Sequence, residues 1–256
     1  MTAIRTNELL SCLLEILQKL AESGAEIYRI EESAWRIGNA YGIDRTDVYA
    51  ITSSIIVSVE TEPGTIQTHT RRVTQISTDI ERLDRLNALV RYITSHTPDA
   101  ETIRAKLREI EDTPTYPLWI TYAFYGVIAG VFYLFFGGRS IVELVVSTLV
   151  GLLVGCLSML IPKFNSNMLL NRFLCSFVAC SVIFACRKVQ LIQNVDYIII
   201  GNIMTLIPGI GLTNALRDLF TGDSLSGVLR MIESILMALA IACGFAVTTL
   251  LFGGAL

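Results

Sequence analysis

Tyr197-Ile-Ile-Ile-Gly201-Asn202-Ile-Met-Thr205-Leu-Ile-Pro208-Gly209-Ile-Gly211-Leu-Thr213-Asn214-Ala-Leu-Arg217-Asp218 is the stretch on which the fold turns. From Tyr197 through Leu216 it carries no charge for 20 residues, and a helix of ~20 apolar residues crosses a bilayer core. Pro208 lacks an amide hydrogen and clashes with the preceding turn. Gly209 and Gly211 relax the chain further, so the pattern predicts a helix broken across 207–211. Broken backbone at membrane depth persists only where it is buried in protein or lines a polar cavity. A helix restarting near 211–213 would leave free N–H groups at its N-terminus, an anion site of the kind discontinuous transporter helices use.

Polar groups crowd just past the break. Thr213 and Arg217 are four residues apart, as are Asn214 and Asp218. Arg217 suits a carboxylate, and Asp218 an ammonium or a transported proton. Asn202, Gly209, Gly211, Thr213, Asn214, Arg217 and Asp218 are therefore the candidate substrate-binding or coupling residues. The competing reading makes Arg217 and Asp218 loop charges at the membrane surface. Arg230 and Glu233, three residues apart, can pair with each other.

The rest of the chain divides by charge. Of 43 Lys, Arg, Asp and Glu residues in 256, 31 fall in residues 1–114 and only 12 in 115–256. A soluble surface needs more charge than the second part supplies. The expectation is a soluble domain over 1–114 and a transmembrane domain over 115–256. Apolar segments at about 118–136, 144–161, 168–186, 197–216 and 231–253 predict five spans, the fourth broken at Pro208. Gly126/Gly130 and Gly151/Gly155 are G-x-x-x-G pairs that let helix backbones approach, in bundle packing or at a seam between subunits of a homo-oligomer.

Several function classes fall away. A net charge of −3 leaves no basic footprint for nucleic acid. The six cysteines (Cys12, Cys156, Cys175, Cys180, Cys186, Cys243) contain no C-x-x-C, and five lie in apolar stretches, where they read as small membrane-core residues. The histidines, His69 and His96, form no H-E-x-x-H. No metal, cofactor or nucleophile–base pair is expected, so the chain does not read as an enzyme. The N-terminus shows no cleavable signal pattern. An acidic domain without one stays most simply in the cytoplasm, with inner loops holding Lys163, Arg172, Arg217 and Arg230 against Arg139, Arg187 and Lys188 outside. Five spans would put the C-terminus outside.

In the soluble part, Leu9, Leu10, Leu13, Ile16, Leu17 and Leu20 share one helix face, and Ser23-Gly24 interrupts. Ile27, Ile30, Ala34, Ile37 and Tyr41 line a second helix, ended by Gly42. Residues 47–60 alternate, with Tyr49, Ile51, Ile55, Val57 and Val59 on one side; Pro63-Gly64 then signals a hairpin turn into 65–74. Helices at 79–95 and 99–111 complete an α+β order of ααββαα. Glu26, Glu31 and Glu32 favour the positive end of the second helix. The alternative is that Glu26, beside Gly24, faces a pore or ligand as a gate.

Ser23-Gly24-Ala25-Glu26, and the helix ending Tyr41-Gly42-Ile43-Asp44, resemble the N-terminal module of the threonine/serine exporter family. Pro208-Gly209-x-x-Leu212-x-Asn214-Ala215-x-x-Asp218, then Gly222, Gly227 and Arg230, resemble that family's membrane signature. The resemblance covers nearly the whole chain in order. It implies a multi-pass protein of the bacterial inner membrane, a secondary exporter of small amino acids driven by protons. Some members instead resemble a two-chain succinate exporter. Full-length members carry a second set of spans, so the resemblance implies a separate small membrane protein as partner. A contrasting expectation is a non-transporting membrane sensor or docking subunit acting through residues 1–114.

Overall fold

The computed structural model describes residues 3–252 apart from 44, 63–64, 114–115 and 165–166. The chain runs α1 (Ala3–Glu22), α2 (Ile27–Ala40), β1 (Thr46–Ile51), β2 (Ser54–Glu62), β3 (Thr65–Arg72), α3 (Ile80–His96) and α4 (Ala100–Glu111). There follow α5 (Leu118–Phe135), α6 (Ile141–Phe164), α7 (Met168–Lys188), α8 (Val195–Ile203), α9 (Gly209–Thr221) and α10 (Ser224–Phe252). Two compact units result: residues 1–114 with 210–231, and residues 115–209 with 232–256.

In the first unit α1 is the central helix. Its leucine face is buried, but so are Cys12 and Leu14, because α2, α3, α4, β2 and β3 all pack on it. Each enclosed leucine is worth ~1.5–3 kcal/mol. Ile27, Ile30, Ala34 and Ile37 bury the α2 stripe, and Gly42 turns the chain out at φ +69°. Asp79 and Asp99 cap α3 and α4, accepting from Arg82 N at 2.9 Å and Thr102 N at 3.0 Å.

The sheet corrects the sequence reading. It has three strands in order β1-β2-β3, all antiparallel, so the order is ααβββαα. Ile51 pairs with Ser54 across a two-residue turn at Thr52-Ser53. Such turns usually announce themselves with Asn-Gly or Asp-Gly, and alternation alone reads straight through this one. Cross-strand partners share a face, so Val48 and Ala50 lie inward opposite Val57 and Ile55, and Tyr49 is exposed. The Pro63-Gly64 turn lies outside the described residues.

In the second unit, α5 and α6 approach along small residues. A Cβ on Gly151 would stand 2.6 Å from Ala129 Cβ and 2.7 Å from Tyr125 O, and one on Gly130 would stand 2.7 Å from Thr148 Oγ1. Gly126 and Gly155 face Leu152 and Tyr125 just as closely. On the other side, α10 meets α7 through Ser176 Oγ, which donates to Ile241 O at 2.7 Å, and Thr248 Oγ1, which donates to Phe177 O at 3.2 Å.

Four described helices, α5, α6, α7 and α10, are long and apolar enough to cross a membrane. Residues 197–216, read above as one of five spans, are divided between α8 and α9. The nine residues of α8 rise only ~14 Å against a ~30 Å core. All six cysteines are free; Cys175 and Cys180 are buried, whereas Cys243 is exposed on the bundle's surface rather than in its core.

Candidate functional site

The site in the first unit is built on the turn between α1 and α2. Gly24 takes φ +90°, and Ala25 N donates back to Leu20 O at 3.0 Å. The segment before α3 braces the turn: Ser77 N donates to Glu22 O at 2.8 Å and Asp79 N to Ser23 O at 3.2 Å. A Cβ on Gly24 would meet Ser77 O at 2.9 Å, so both the backbone angle and the space call for glycine. The carbonyls of Gly24 and Ala25 and the first amide of α2 are left for other partners.

Those partners come from α9 and α10. Asn214 Nδ2 donates to Gly24 O at 3.3 Å, and Arg230 Nη2 donates to Ala25 O at 3.0 Å. Ile27 N donates to Asp218 Oδ1 at 3.4 Å, and Arg230 Nη1 lies 3.5 Å from Asp218 Oδ2. Arg217 pairs with Glu26, whose other oxygen lies 3.6 Å from Arg29. The α9–α10 turn owes its tightness to two glycines. Gly222 sits at φ +101°, and a Cβ on Gly227 would come within 2.8 Å of Leu219 N.

Asp218 is fully buried and Arg230 is 7% exposed, whereas Arg217 is half-exposed. Asp218 also stands where a helix cap would. Glu26, the N-cap of α2, is extended and makes no cap bond of its own, and a carboxylate at a helix N-terminus is favoured by the dipole. Burial raises the Asp218 carboxyl above its ordinary 3.8, against the lowering effect of Arg230 and the Ile27 amide.

The structure thus brings Glu26, Asn214, Arg217 and Asp218 together, with Arg230 completing the cluster by turning to Asp218. Gly209 opens α9, directly after Pro208, and Gly211 and Thr213 lie in its first turns. The helix starts earlier than 211–213, and Gly209 N already donates to Ile207 O at 2.9 Å. Asn202 belongs to the second unit. Its Nδ2 donates to Ile198 O at 2.9 Å and to Ser147 Oγ at 3.3 Å, Ser147 Oγ donates to Ala129 O, and Asn202 Oδ1 is buried without a partner among the described residues.

Sequence reasoning missed Glu143. It sits in the first turn of α6, buried, and accepts from Tyr133 OH at 2.9 Å, Gln193 N at 2.9 Å and Asn194 N at 2.8 Å. The signal was present: a single acid beside a long apolar run is costly unless it is bonded. Among the described residues no three His, Cys, Asp or Glu side chains gather as a metal set.

Comparison with known proteins shows the family of the chain. The family described as "Putative threonine/serine exporter" matches residues 12–252. A Mycobacterium tuberculosis protein named "Probable threonine/serine exporter" is 24% identical over 96% of this chain, which spans 46% of that protein's length. Proteins named "Probable succinate transporter subunit YjjP" are each 23% identical: in Klebsiella aerogenes over 95% of this chain and 92% of the relative, in Escherichia coli K12 over 91% of each. No solved structure matches. With its apolar helices and its polar cluster both inside the matched region, the chain belongs to the threonine/serine exporter family.

Proposed function

We propose that this chain is a subunit of a proton-coupled secondary exporter in the bacterial inner membrane, moving small amino acids, threonine and serine first, together with a second small membrane protein. The observation that carries the reading is the single family match across residues 12–252, which takes in the four apolar helices and the Asp218–Arg230 cluster alike. Asn202, Gly209, Gly211, Thr213, Asn214, Arg217 and Asp218 are the proposed substrate-binding or coupling residues, with Glu26 as a gate on the cytoplasmic side. A dicarboxylate such as succinate is the alternative solute. It is favoured by the near-complete coverage of two relatives whose printed names say succinate transporter subunit.

Residues 197–216, uncharged for 20 residues, are read as a fifth crossing that passes through α8 and Pro208. Short helix plus irregular backbone at that depth is tolerated where protein surrounds it, and Ile198, Ile199, Gly201 and Asn202 are buried among their neighbours. The C-terminus would then lie outside.

The test is efflux of labelled threonine, serine and succinate from preloaded cells lacking their own exporters, with this chain expressed alone and with its partner. Uncoupler-sensitive efflux supports the reading and names the solute. No efflux of any label, with both chains in the membrane, would favour the sensor or docking reading.

A further inference from the structure

Asp218 is fully buried, yet neither of its polar contacts is tight. The Ile27 amide stands at 3.4 Å and the Arg230 guanidinium at 3.5 Å, whereas a settled charge-assisted bond closes to ~2.7–2.9 Å. Among the described residues, Asp218 Oδ2 accepts no hydrogen bond and Arg230 Nε donates none, although both atoms are buried. Ser23 Oγ, in the turn just before Gly24, is buried without a partner among the described residues as well. A guanidinium more than nine-tenths buried and the N-terminus of a 14-residue helix thus converge on a carboxylate that neither grips closely. Anions other than a side chain suit such a place equally well.

We propose that Ile27 N–H and Arg230 form a binding site for a small carboxylate solute, and that Asp218 occupies it as an internal stand-in that the solute displaces. The identity of the solute rests on the exporter reading; the site itself does not. Ionised Asp218 competes with the solute for Ile27 N–H and Arg230, and protonated Asp218 does not, so a carboxylate binds more tightly when Asp218 carries a proton. The charged groups around Asp218 are Arg230 from α10, Glu26 from the cap of α2, Asp223 from the α9–α10 turn and Arg217 on α9 itself. Glu26 and Asp223 oppose its ionisation and Arg230 favours it. Arg217, held by Glu26 at the exposed rim, is placed to meet an arriving anion first.

Calorimetric titration of the 256-residue chain in lipid nanodiscs tests this, with succinate, threonine and threoninamide as probes at mildly acidic and mildly alkaline pH. The wild-type chain should bind a carboxylate probe more tightly in acid, and threoninamide at neither pH. Asp218→Asn should bind about tenfold more tightly than wild type in alkali and lose the pH dependence, because the competitor is gone. Arg230→Lys keeps the charge but loses the planar fork, and should bind about tenfold more weakly; it carries the test if Asp218→Asn does not fold. Wild-type affinity and pH dependence in Asp218→Asn, equal binding of threoninamide, or no binding of any probe by wild type would overturn the proposal. Efflux separates the two claims. Efflux without the predicted binding removes this site and leaves the exporter, while predicted binding without efflux leaves the site and removes the exporter.

Discussion

Arg230→Met is the most informative single perturbation of the first unit. It removes the countercharge of a fully buried carboxylate while keeping much of the side-chain volume. At 3.5 Å the pair attracts by about 5 kcal/mol at an effective dielectric of about 20, most of which offsets the desolvation of two ions. What the variant loses is larger than the net worth of the pair, since it strands Asp218 and also frees Ala25 O. Removing one partner of a buried pair costs ~3–5 kcal/mol. The loss should appear locally, as amide hydrogen exchange at residues 24–30 in the detergent-solubilised chain. A cost of ~3–4 kcal/mol in opening corresponds to exchange ~10²–10³-fold faster. The effect should also depend on pH. Asp218 has a value above 3.8 in the folded chain, so stability falls as pH rises from 3.8 through that folded value and recovers on acidification. The deficit of Arg230→Met should therefore shrink in acid, where Asp218 is neutral and needs no partner. Exchange within threefold of wild type at neutral pH, or a deficit that grows in acid, would refute the reasoning.

Other outcomes follow from the same geometry. Gly24→Ala places a Cβ 2.9 Å from Ser77 O at φ +90° and should lower thermal stability by ~1–3 kcal/mol, read by fluorescence-detected unfolding. Gly151→Leu drives a side chain into Ala129 and the Tyr125 carbonyl; cysteine cross-linking between α5 and α6 should fall sharply, whereas Leu149→Ile, at an exposed position of α6, should leave it intact. Glu143→Gln keeps the shape but turns a charged acceptor of two amides and a phenol into a neutral one. Exchange at Gln193 and Asn194 should quicken by ~10-fold or more, for a loss of ~1–3 kcal/mol.

The helices of the first unit were legible because their stripes are regular. Ile27, Ile30, Ala34 and Ile37 recur at helical spacing and all are buried. The extra strand was not legible, because Thr52-Ser53 makes its turn without glycine or asparagine and the alternation continues through it. In the candidate site, Glu26, Asn214, Arg217 and Asp218 could be named from residue type and spacing. Their meeting could not, since it joins positions about 190 residues apart, through the backbone carbonyls of Gly24 and Ala25 that carry no sequence signal. Arg230 shows the same limit. Spacing offered Glu233 as its neighbour on the helix, whereas the α9–α10 turn at Gly222 and Gly227 carries it to Asp218.

The measurement that tests the central claim most directly is efflux of preloaded labelled threonine, serine and succinate from cells without their own exporters, with this chain and its small membrane partner expressed singly and together. The account predicts efflux of at least one label that needs both chains and collapses with an uncoupler. Retention of all three labels, with both chains present in the membrane, would contradict it.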